Sequence, residues 1–319
     1  MLLMTLPSKL VSAQDEQFQP EKRIYLLDVT LSMQGYGDNE DIYDEVIDAL
    51  IDDINKVTDP NVEIVVMPFQ EGILAEHASK ATTEGKTMLI QKIEEYKDTY
   101  KAVTYTNILV PFKYAVENYV DPKKSNIIMI MTDGKHNDKS SPKSLLIKEI
   151  KKWGTLTESV NAYAFYIILT TKADDQELND LIEGTKGIDV IDNTGKKNFT
   201  VCQLTPQAEV AYNTKEDVNN GCQMQIRCNQ DSYPDNLVVH IEAHNEYVDI
   251  NSDQTIEDGK VKFDVNTLTS LSEMPEKFDL DIYLSLKNNN SSDRIFLVKE
   301  NSKLTIINKK EKVLKIYVK

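Results

Sequence analysis

Three oxygen-bearing side chains follow a short apolar run near the start of the chain. The run from Ile24 to Leu27 contains no polar residue, and Asp28, Thr30 and Ser32 come after it at every second position. An uninterrupted apolar run predicts a strand that is buried on both faces, as in the middle of a parallel sheet. Open α/β sheets bind their ligands at the carboxyl ends of such strands. Because carboxylate and hydroxyl oxygens suit a hard divalent cation, the motif predicts a metal site.

Two later segments bring further oxygen ligands to the ends of predicted elements. Thr106 precedes a helical pattern, and Asp133 follows the apolar run from Asn126 to Met131. Two carboxylates about 4 Å apart repel by on the order of 4 kcal/mol at an effective dielectric of about 20, and a cation between Asp28 and Asp133 would turn that repulsion into attraction. A site with two acids and several hydroxyls keeps some waters, which favours Mg²⁺ over a fully caged Ca²⁺. Its open position can take a carboxylate from a protein partner.

The elements that must position these residues alternate between strand and helix. Strands are predicted at 23–28, 62–67, 126–131, 160–169 and 188–191. A short antiparallel edge strand is predicted within 73–81, and apolar residues at three-to-four spacing predict helices between the strands. This alternation predicts an α/β fold with a doubly wound, mostly parallel sheet. From about Phe199 apolar and polar residues alternate without a helical stripe, which predicts an all-β antiparallel sandwich domain.

These patterns divide the chain into an N-terminal segment at 1–21, an α/β domain at 22–197 and a β-sandwich domain at 198–319. The apolar part of the first segment ends in Val11-Ser-Ala13, so we interpret this segment as the remnant of a longer signal peptide. We therefore expect an exported protein, either periplasmic or extracellular at the cell surface. A plain disordered amino terminus is the alternative interpretation.

Composition limits the kinds of partner. Lys and Arg total 36 against 52 Asp and Glu, which gives a net charge of −16. Such a charge argues against general binding of nucleic acid or of anionic lipid. No apolar run approaches the roughly 20 residues that a membrane span requires. The three cysteines are Cys202, Cys222 and Cys228, and both one bridge with one free thiol and three reduced thiols agree with the sequence.

The motifs taken in order resemble the metal-ion-dependent adhesion site (MIDAS) of von Willebrand factor type A domains. They are Asp28-x-Thr30-x-Ser32, then Thr106 in Thr-Asn-Ile, then Thr132-Asp133-Gly134. The resemblance covers about residues 22–195, including the order of strands and helices. It implies that Ser32 ligates the metal directly together with Thr30 or Thr106, and that Asp28 and Asp133 act directly or through water. It also implies Mg²⁺ as the ion, with Mn²⁺ or Ca²⁺ as alternatives, and a protein ligand that supplies a carboxylate.

The sequence departs from this family pattern at two places. Thr30 stands where the family usually has serine, but threonine supplies the same hydroxyl on a stiffer side chain. The family's glycine-rich approach to the middle threonine is replaced by Ala-Val-Thr-Tyr at 102–105. Thr104 is therefore a substitute candidate for Thr106.

These features predict a non-enzymatic binding or adhesion module. The sequence has no phosphate-binding loop of the G-x-x-x-x-G-K-[ST] type and no G-x-S-x-G elbow. One alternative is a metal-free structural subunit of a larger assembly. Another is a Mg²⁺-dependent phosphoryl-transfer hydrolase with Asp28 as nucleophile, although that chemistry normally needs an acid at residue 30.

Tyr36 and Tyr105 flank the predicted site and are candidate contacts for a partner. The residues at 136–138 are interpreted as a polar loop, with contact to the surroundings of the metal as the alternative.

Overall fold

A computed structural model gives the fold of the chain. It describes residues 21–36, 41–99, 103–133, 135–169, 175–192, 199–204, 208–212, 223–228, 237–242, 246–250, 253–254, 256, 259–262, 265–270, 273–286, 294–297 and 303–308. The predicted signal-peptide remnant at 1–21 lies outside the described residues except for its last position, and so does the predicted domain boundary between 197 and 198.

Six strands form the first sheet: β1 (Glu21–Asp28), β2 (Glu63–Phe69), β3 (His77–Lys80), β4 (Ser125–Thr132), β5 (Ala162–Ile168) and β6 (Ile188–Asp192). Their order across the sheet is β3-β2-β1-β4-β5-β6, and all neighbouring pairs are parallel except β2 with β3. The predicted mostly parallel sheet and its antiparallel edge strand are therefore confirmed. The strand order reverses between β1 and β4, which is the point where open α/β sheets form a ligand-binding crevice.

Helices cover both faces of this sheet: α1 (Tyr43–Lys56), α2 (Thr83–Glu94), α3 (Tyr96–Thr99), α4 (Leu109–Tyr119), α5 (Lys143–Leu156) and α6 (Gln176–Glu183). A short 3-10 helix spans Leu31–Met33. On one face, Leu27 of β1 shares a core with Leu50 of α1 and side chains of α2. On the other face, Leu26 shares a second core with Phe112 of α4, Trp153 of α5 and side chains of α6. Because both faces of β1 are covered, Ile24 to Leu27 are all fully buried, as their unbroken apolar run predicted.

The part of the chain after Phe199 contains only strands among its described regular elements: β7 (Phe199–Leu204), β8 (Ala208–Tyr212), β9 (Gln223–Cys228), β10 (Leu237–Glu242), β11 (Val248–Ile250), β12 (Asp253–Gln254), β13 (Lys260–Lys262), β14 (Val265–Thr267), β15 (Lys277–Leu286), β16 (Arg294–Leu297) and β17 (Lys303–Asn308). They form sheets in the orders β12-β10-β15-β17-β8, β13-β9-β7-β16 and β11-β14. None of the helices in the described residues is long and apolar enough to cross a membrane.

Most of these pairs are antiparallel, as predicted, but the prediction is wrong for two of them. Strand β7 pairs in parallel with β16, and β8 pairs in parallel with β17. Alternating apolar residues report that one face of a strand is buried, and this pattern is the same for either strand direction. Within the antiparallel pair of β7 and β9, the buried Cys202 is disulfide-bonded, and the residue opposite it in register is Cys228.

The contact of α5 with the sheet gives a test of the fold. Trp153 is 1% exposed, its ring lies 5.7 Å from that of Phe112, and its Nε1 donates to the carbonyl oxygen of Gly187 at 2.7 Å. We expect Trp153→Phe to lower the free energy of unfolding by about 2 kcal/mol, because it removes this hydrogen bond and leaves a void. Urea unfolding should be followed by circular dichroism, since Trp153 is the only tryptophan.

The matched control is Lys148→Ala on the exposed side of the same helix, for which we expect a change within about 0.5 kcal/mol. Equal stability of Trp153→Phe and the unmodified protein would contradict the packing described for α5.

Candidate functional site

The candidate site lies where the carboxyl ends of β1 and β4 meet. Asp28 is the last residue of β1, and Asp133 follows directly after the last residue of β4. The register pairs Leu27 with Met131, so the two strands end side by side. A third segment reaches this edge because the backbone N–H of Leu31 donates to the carbonyl oxygen of Val103 at 3.0 Å.

Side chains from two of these segments form a contiguous group of oxygens, which we call the hydroxyl cluster (Thr30, Ser32 and Thr106). Thr30 Oγ1 donates to Asp28 Oδ1 at 2.7 Å, lies 3.1 Å from Ser32 Oγ and accepts from Thr106 Oγ1 at 3.2 Å. Four of the five predicted site residues are therefore joined by direct contacts. The fifth, Asp133, is 3% exposed.

Asp28 is fully buried, and its two oxygens are held by different elements. Oδ1 accepts from the backbone N–H of Thr30 at 3.0 Å as well as from its hydroxyl, and Oδ2 accepts from Thr132 Oγ1 at 2.8 Å. Burial and then the neighbouring charge of Asp133 raise the pKa of Asp28 to about 7, although the hydrogen bonds from Thr30 and Thr132 act in the opposite direction. The hydrogen bonds from Thr30 and Thr132 therefore do not fully offset the free-energy cost of burying a charged carboxylate at this position.

At the amino end of β1, in contrast, buried acids are paired with a cationic side chain. Arg23 donates to Glu21, and its guanidinium nitrogen lies 4.0 Å from Asp53 Oδ2, which also accepts from the hydroxyl of Tyr25. No Lys, Arg or His side chain among the described residues makes an ion pair with Asp28. A bound cation would supply at the carboxyl end of β1 the positive charge that Arg23 supplies at the amino end.

The donor set fits a hard divalent cation better than a softer metal. The described residues contain no group of three or more His, Cys, Asp and Glu side chains that could hold a metal ion. The site instead combines the two acids Asp28 and Asp133 with the hydroxyl cluster, and oxygen-only sets with few charges are those that Mg²⁺ occupies while keeping several waters. The residues present therefore fit the predicted ion.

Thr106 is held in place by residues that follow β4. Asn137 Oδ1 accepts from the backbone N–H of Thr106 at 2.7 Å, and the backbone N–H of Asn137 donates to the Thr106 carbonyl oxygen at 3.1 Å. Thr104, the substitute candidate, is exposed. The hydroxyl that joins the cluster is that of Thr106.

The next residues along the same loop are tied to the start of α4 in the same way. Asn107 Nδ2 donates to Asp138 Oδ2 at 2.6 Å and to Ser141 Oγ at 2.9 Å. His136 Nδ1 accepts from the backbone N–H of Ile108 at 3.1 Å, and its Nε2 lies 2.6 Å from the carbonyl oxygen of Ser141. A carbonyl oxygen can only accept, so Nε2 carries the proton of a neutral imidazole. Burial lowers the pKa of His136, which favours this neutral form.

We call residues 136–141 the clamp segment, because they hold the loop that carries Thr106. The sequence favoured a polar loop at 136–138, with contact to the surroundings of the metal as the alternative, and it did not assign Asn107 or Ser141 to the site. The only signal for them was a dense polar run directly after a predicted strand end, and such runs are common in solvated loops.

Two aromatic side chains stand exposed near the site. Tyr36 is 61% exposed and Tyr105 is 37% exposed. Lys139 Nζ lies 5.9 Å from the centre of the Tyr105 ring, a distance at which a cation and a ring attract. Both tyrosines keep the exposure that a contact residue for a partner needs.

Comparison with solved structures gives distant similarities. Proximal thread matrix protein 1 from the mussel byssus is 20% identical with a TM-score of 0.41, over 60% of this chain and 52% of that chain. A structure of the same mussel protein with a zinc-occupied MIDAS motif is 23% identical with a TM-score of 0.35, over 46% and 38%. Conserved hypothetical protein BatB from Bacteroides thetaiotaomicron is 12% identical with a TM-score of 0.38, over 55% and 92%. The chain thus spans about half the length of the mussel protein (52%).

Comparison by sequence gives a clearer result. No curated protein matches the chain. The family model of the von Willebrand factor type A domain matches residues 24–204 of the 319-residue chain. This match covers more than half of the sequence and includes strands β2 to β6 and most of β1. The chain therefore belongs to the von Willebrand factor type A domain family.

Proposed function

We propose that the carboxyl edge of β1 and β4 is a MIDAS, and that the protein is a non-enzymatic module that binds a protein partner through it. The proposed ligands are Asp28, Thr30, Ser32, Thr106 and Asp133, and the proposed ion is Mg²⁺, with Mn²⁺ or Ca²⁺ as alternatives. The observation that carries the proposal is the fully buried carboxylate of Asp28, which lies beside a second acid and the hydroxyl cluster without a cationic side chain of the described residues paired to it.

A divalent ion held by two carboxylates and a few hydroxyls has positions left over, and one of these can accept a carboxylate from another protein. The exposed Tyr36 and Tyr105 would then supply contact area around the ion, because aromatic side chains bury large surfaces at little cost in conformational entropy. The proposed partner is therefore a protein that presents an acidic side chain at its surface.

We further propose that the chain is divided as predicted into 1–21, 22–197 and 198–319, with the last part a β sandwich that serves as a spacer or second contact surface. We also propose that the protein is exported to the periplasm or the cell exterior. The disulfide-bonded Cys202 supports export, because disulfides persist in oxidising compartments and are rare where thiols are kept reduced.

The ligand assignment predicts metal binding that depends on both acids. We expect isothermal titration calorimetry to detect Mg²⁺ or Mn²⁺ binding at affinities of about millimolar or tighter, and Asp28→Asn and Asp133→Ala each to weaken it more than about tenfold. Asp52→Asn changes an exposed acid and should leave the affinity unchanged.

Partners captured from an extract should be lost both on chelation with EDTA and with Asp133→Ala. Capture that survives both treatments would refute a metal-dependent interaction.

The raised pKa of Asp28 predicts how the metal-free protein responds to pH. Its pKa is raised from 3.8 to about 7, so the folded state binds this proton more tightly than the unfolded state. The free energy of unfolding should therefore fall by about 4 kcal/mol as pH rises from about 4 to about 8. Metal ligation requires the ionised carboxylate, so affinity should weaken by up to about tenfold per pH unit below about 7.

Urea unfolding in EDTA across this pH range tests the stability part of this prediction. The control is Asp28→Asn, which should lack the part of the slope that this carboxyl causes and should be more stable than the unmodified protein at the alkaline end. Parallel stability curves for the two proteins would contradict the assignment of the slope to Asp28.

The clamp segment predicts an effect on the metal site from a residue that is not a ligand. Asn137→Ala removes the acceptor for the backbone N–H of Thr106, so we expect Mn²⁺ affinity to fall by about tenfold, because partners of metal ligands fix ligand orientation. Asn118→Ala is the matched control, since Asn118 is exposed on α4 and its Nδ2 donates to the carbonyl oxygen of Tyr114 on the same helix. Equal affinities of the two variants would show that the clamp segment does not position Thr106.

A further inference from the structure

Tyr166 lies directly beneath the candidate site on the same face of the sheet. The register places Tyr166 opposite Ile130 of β4 and Ile168 opposite Thr132. Side chains two residues apart on a strand share a face, so Tyr166 shares the face of Thr132, whose hydroxyl holds Asp28. It is one residue row below that contact, a separation of about 6.6 Å along the strand, which the length of a tyrosine side chain can span.

The hydroxyl of Tyr166 has no hydrogen-bond partner among the described residues, although the residue is only 1% exposed. The side chain belongs to the apolar core that contains Ile130 and Ile168. Burying a hydroxyl without a partner destabilises a fold, and phenylalanine would fill the same space without that cost. Packing therefore explains the ring of Tyr166 but does not explain its oxygen.

The negative charges that act on this hydroxyl point towards the site. Burial raises the pKa of Tyr166 well above its ordinary value, and the carboxylates of Asp133, Asp175 and Asp28 raise it further, with Asp133 first among them. Asp175 already accepts from Lys143 and from the backbone N–H of Leu178. Both oxygens of Asp28 are also engaged, by Thr30 and Thr132.

Asp133 is the first of the three acids that act on this hydroxyl. Its Oδ1 accepts a bond of 3.3 Å from the backbone N–H of Lys135, and an ionised carboxylate can accept several hydrogen bonds at once. We propose that Tyr166 is a positioning residue of the metal site, and that its hydroxyl donates a hydrogen bond to Asp133, directly or through one water, when a divalent cation is bound. This inference rests on the proposed function.

The role follows from the charge on Asp133. A carboxylate that ligates a cation directly or through water must hold one orientation, and a neutral donor beneath it fixes that orientation without competing for the metal charge. The backbone N–H of Lys135 approaches Asp133 from its own loop, whereas Tyr166 approaches from the rigid centre of the sheet.

The test is Tyr166→Phe in the full chain, with two measurements on the same preparation. Thermal unfolding in EDTA should give a melting temperature equal to or above that of the unmodified protein, because the lost hydroxyl has no partner among the described residues. Calorimetric titration with Mn²⁺ should give an affinity about three- to tenfold weaker. A structural role alone would not produce this opposite movement of stability and affinity.

The matched control is Tyr163→Phe on the same strand and the opposite face. Tyr163 is buried, and its hydroxyl donates to Asp189 Oδ2 at 2.7 Å. We expect this variant to melt at a lower temperature in EDTA and to bind Mn²⁺ as the unmodified protein does.

The possible outcomes distinguish a failure of the Tyr166 role from a failure of the proposed function. Unchanged Mn²⁺ affinity in Tyr166→Phe, or a loss of affinity accompanied by a lower melting temperature in EDTA, overturns the role of Tyr166 and leaves the proposed metal site intact. Equal losses of affinity in both tyrosine variants also overturn it. If the unmodified protein binds neither Mg²⁺ nor Mn²⁺, the proposed function fails first and the inference fails with it.

Discussion

A buried carboxylate to which no cationic side chain of the described residues is paired is the constraint on which the rest of this site depends. Asp28 is fully enclosed and has Asp133 as its neighbouring charge. In a medium of low dielectric such a pair is costly unless a positive charge or a proton is supplied. Thr30 and Thr132 offset part of this cost through hydrogen bonds. The remaining cost is what a divalent cation would remove, and it is the basis of the predicted response of the site to metal and to pH.

The sheet order explains why these charges meet where they do. The chain moves outward from β1 to β2 and β3, then returns to place β4 on the other side of β1. This reversal leaves a crevice at the carboxyl ends of β1 and β4, because the connections leave these two strands in opposite directions. The cores on both faces hold the two strands rigidly in register. The positions of Asp28 and Asp133 are therefore set by the ends of β1 and β4. Thr30 and Ser32 lie on the segment that follows β1, and Thr106 depends on the loop before α4.

That dependence gives the clamp segment its significance. Residues 136–141 follow Asp133 in the chain and contact the loop of Thr106 through both backbone and side chains. A displacement of either loop is thus transmitted to the other, and both carry proposed ligands. The proposed role of Tyr166 would extend this support into the sheet, since Tyr166 lies opposite Ile130 on β5 and shares the face of Thr132. Sites held from several directions in this way keep their geometry before the ligand arrives.

The sequence by itself determined the elements and the chemical nature of the site. Unbroken apolar runs identified β1 and β4 as strands covered on both faces. The oxygen-bearing side chains that follow them predicted a metal site at the edge where both strands end. The tertiary structure decided what depends on contacts distant in the chain: the choice of Thr106 over Thr104 for the hydroxyl cluster, the clamp segment, the buried Tyr166 hydroxyl, and the parallel pairing of β7 with β16 and of β8 with β17. Local periodicity records which face of an element is buried. It does not record which distant segment covers that face or in which direction a neighbouring strand runs, because those are properties of the folded chain.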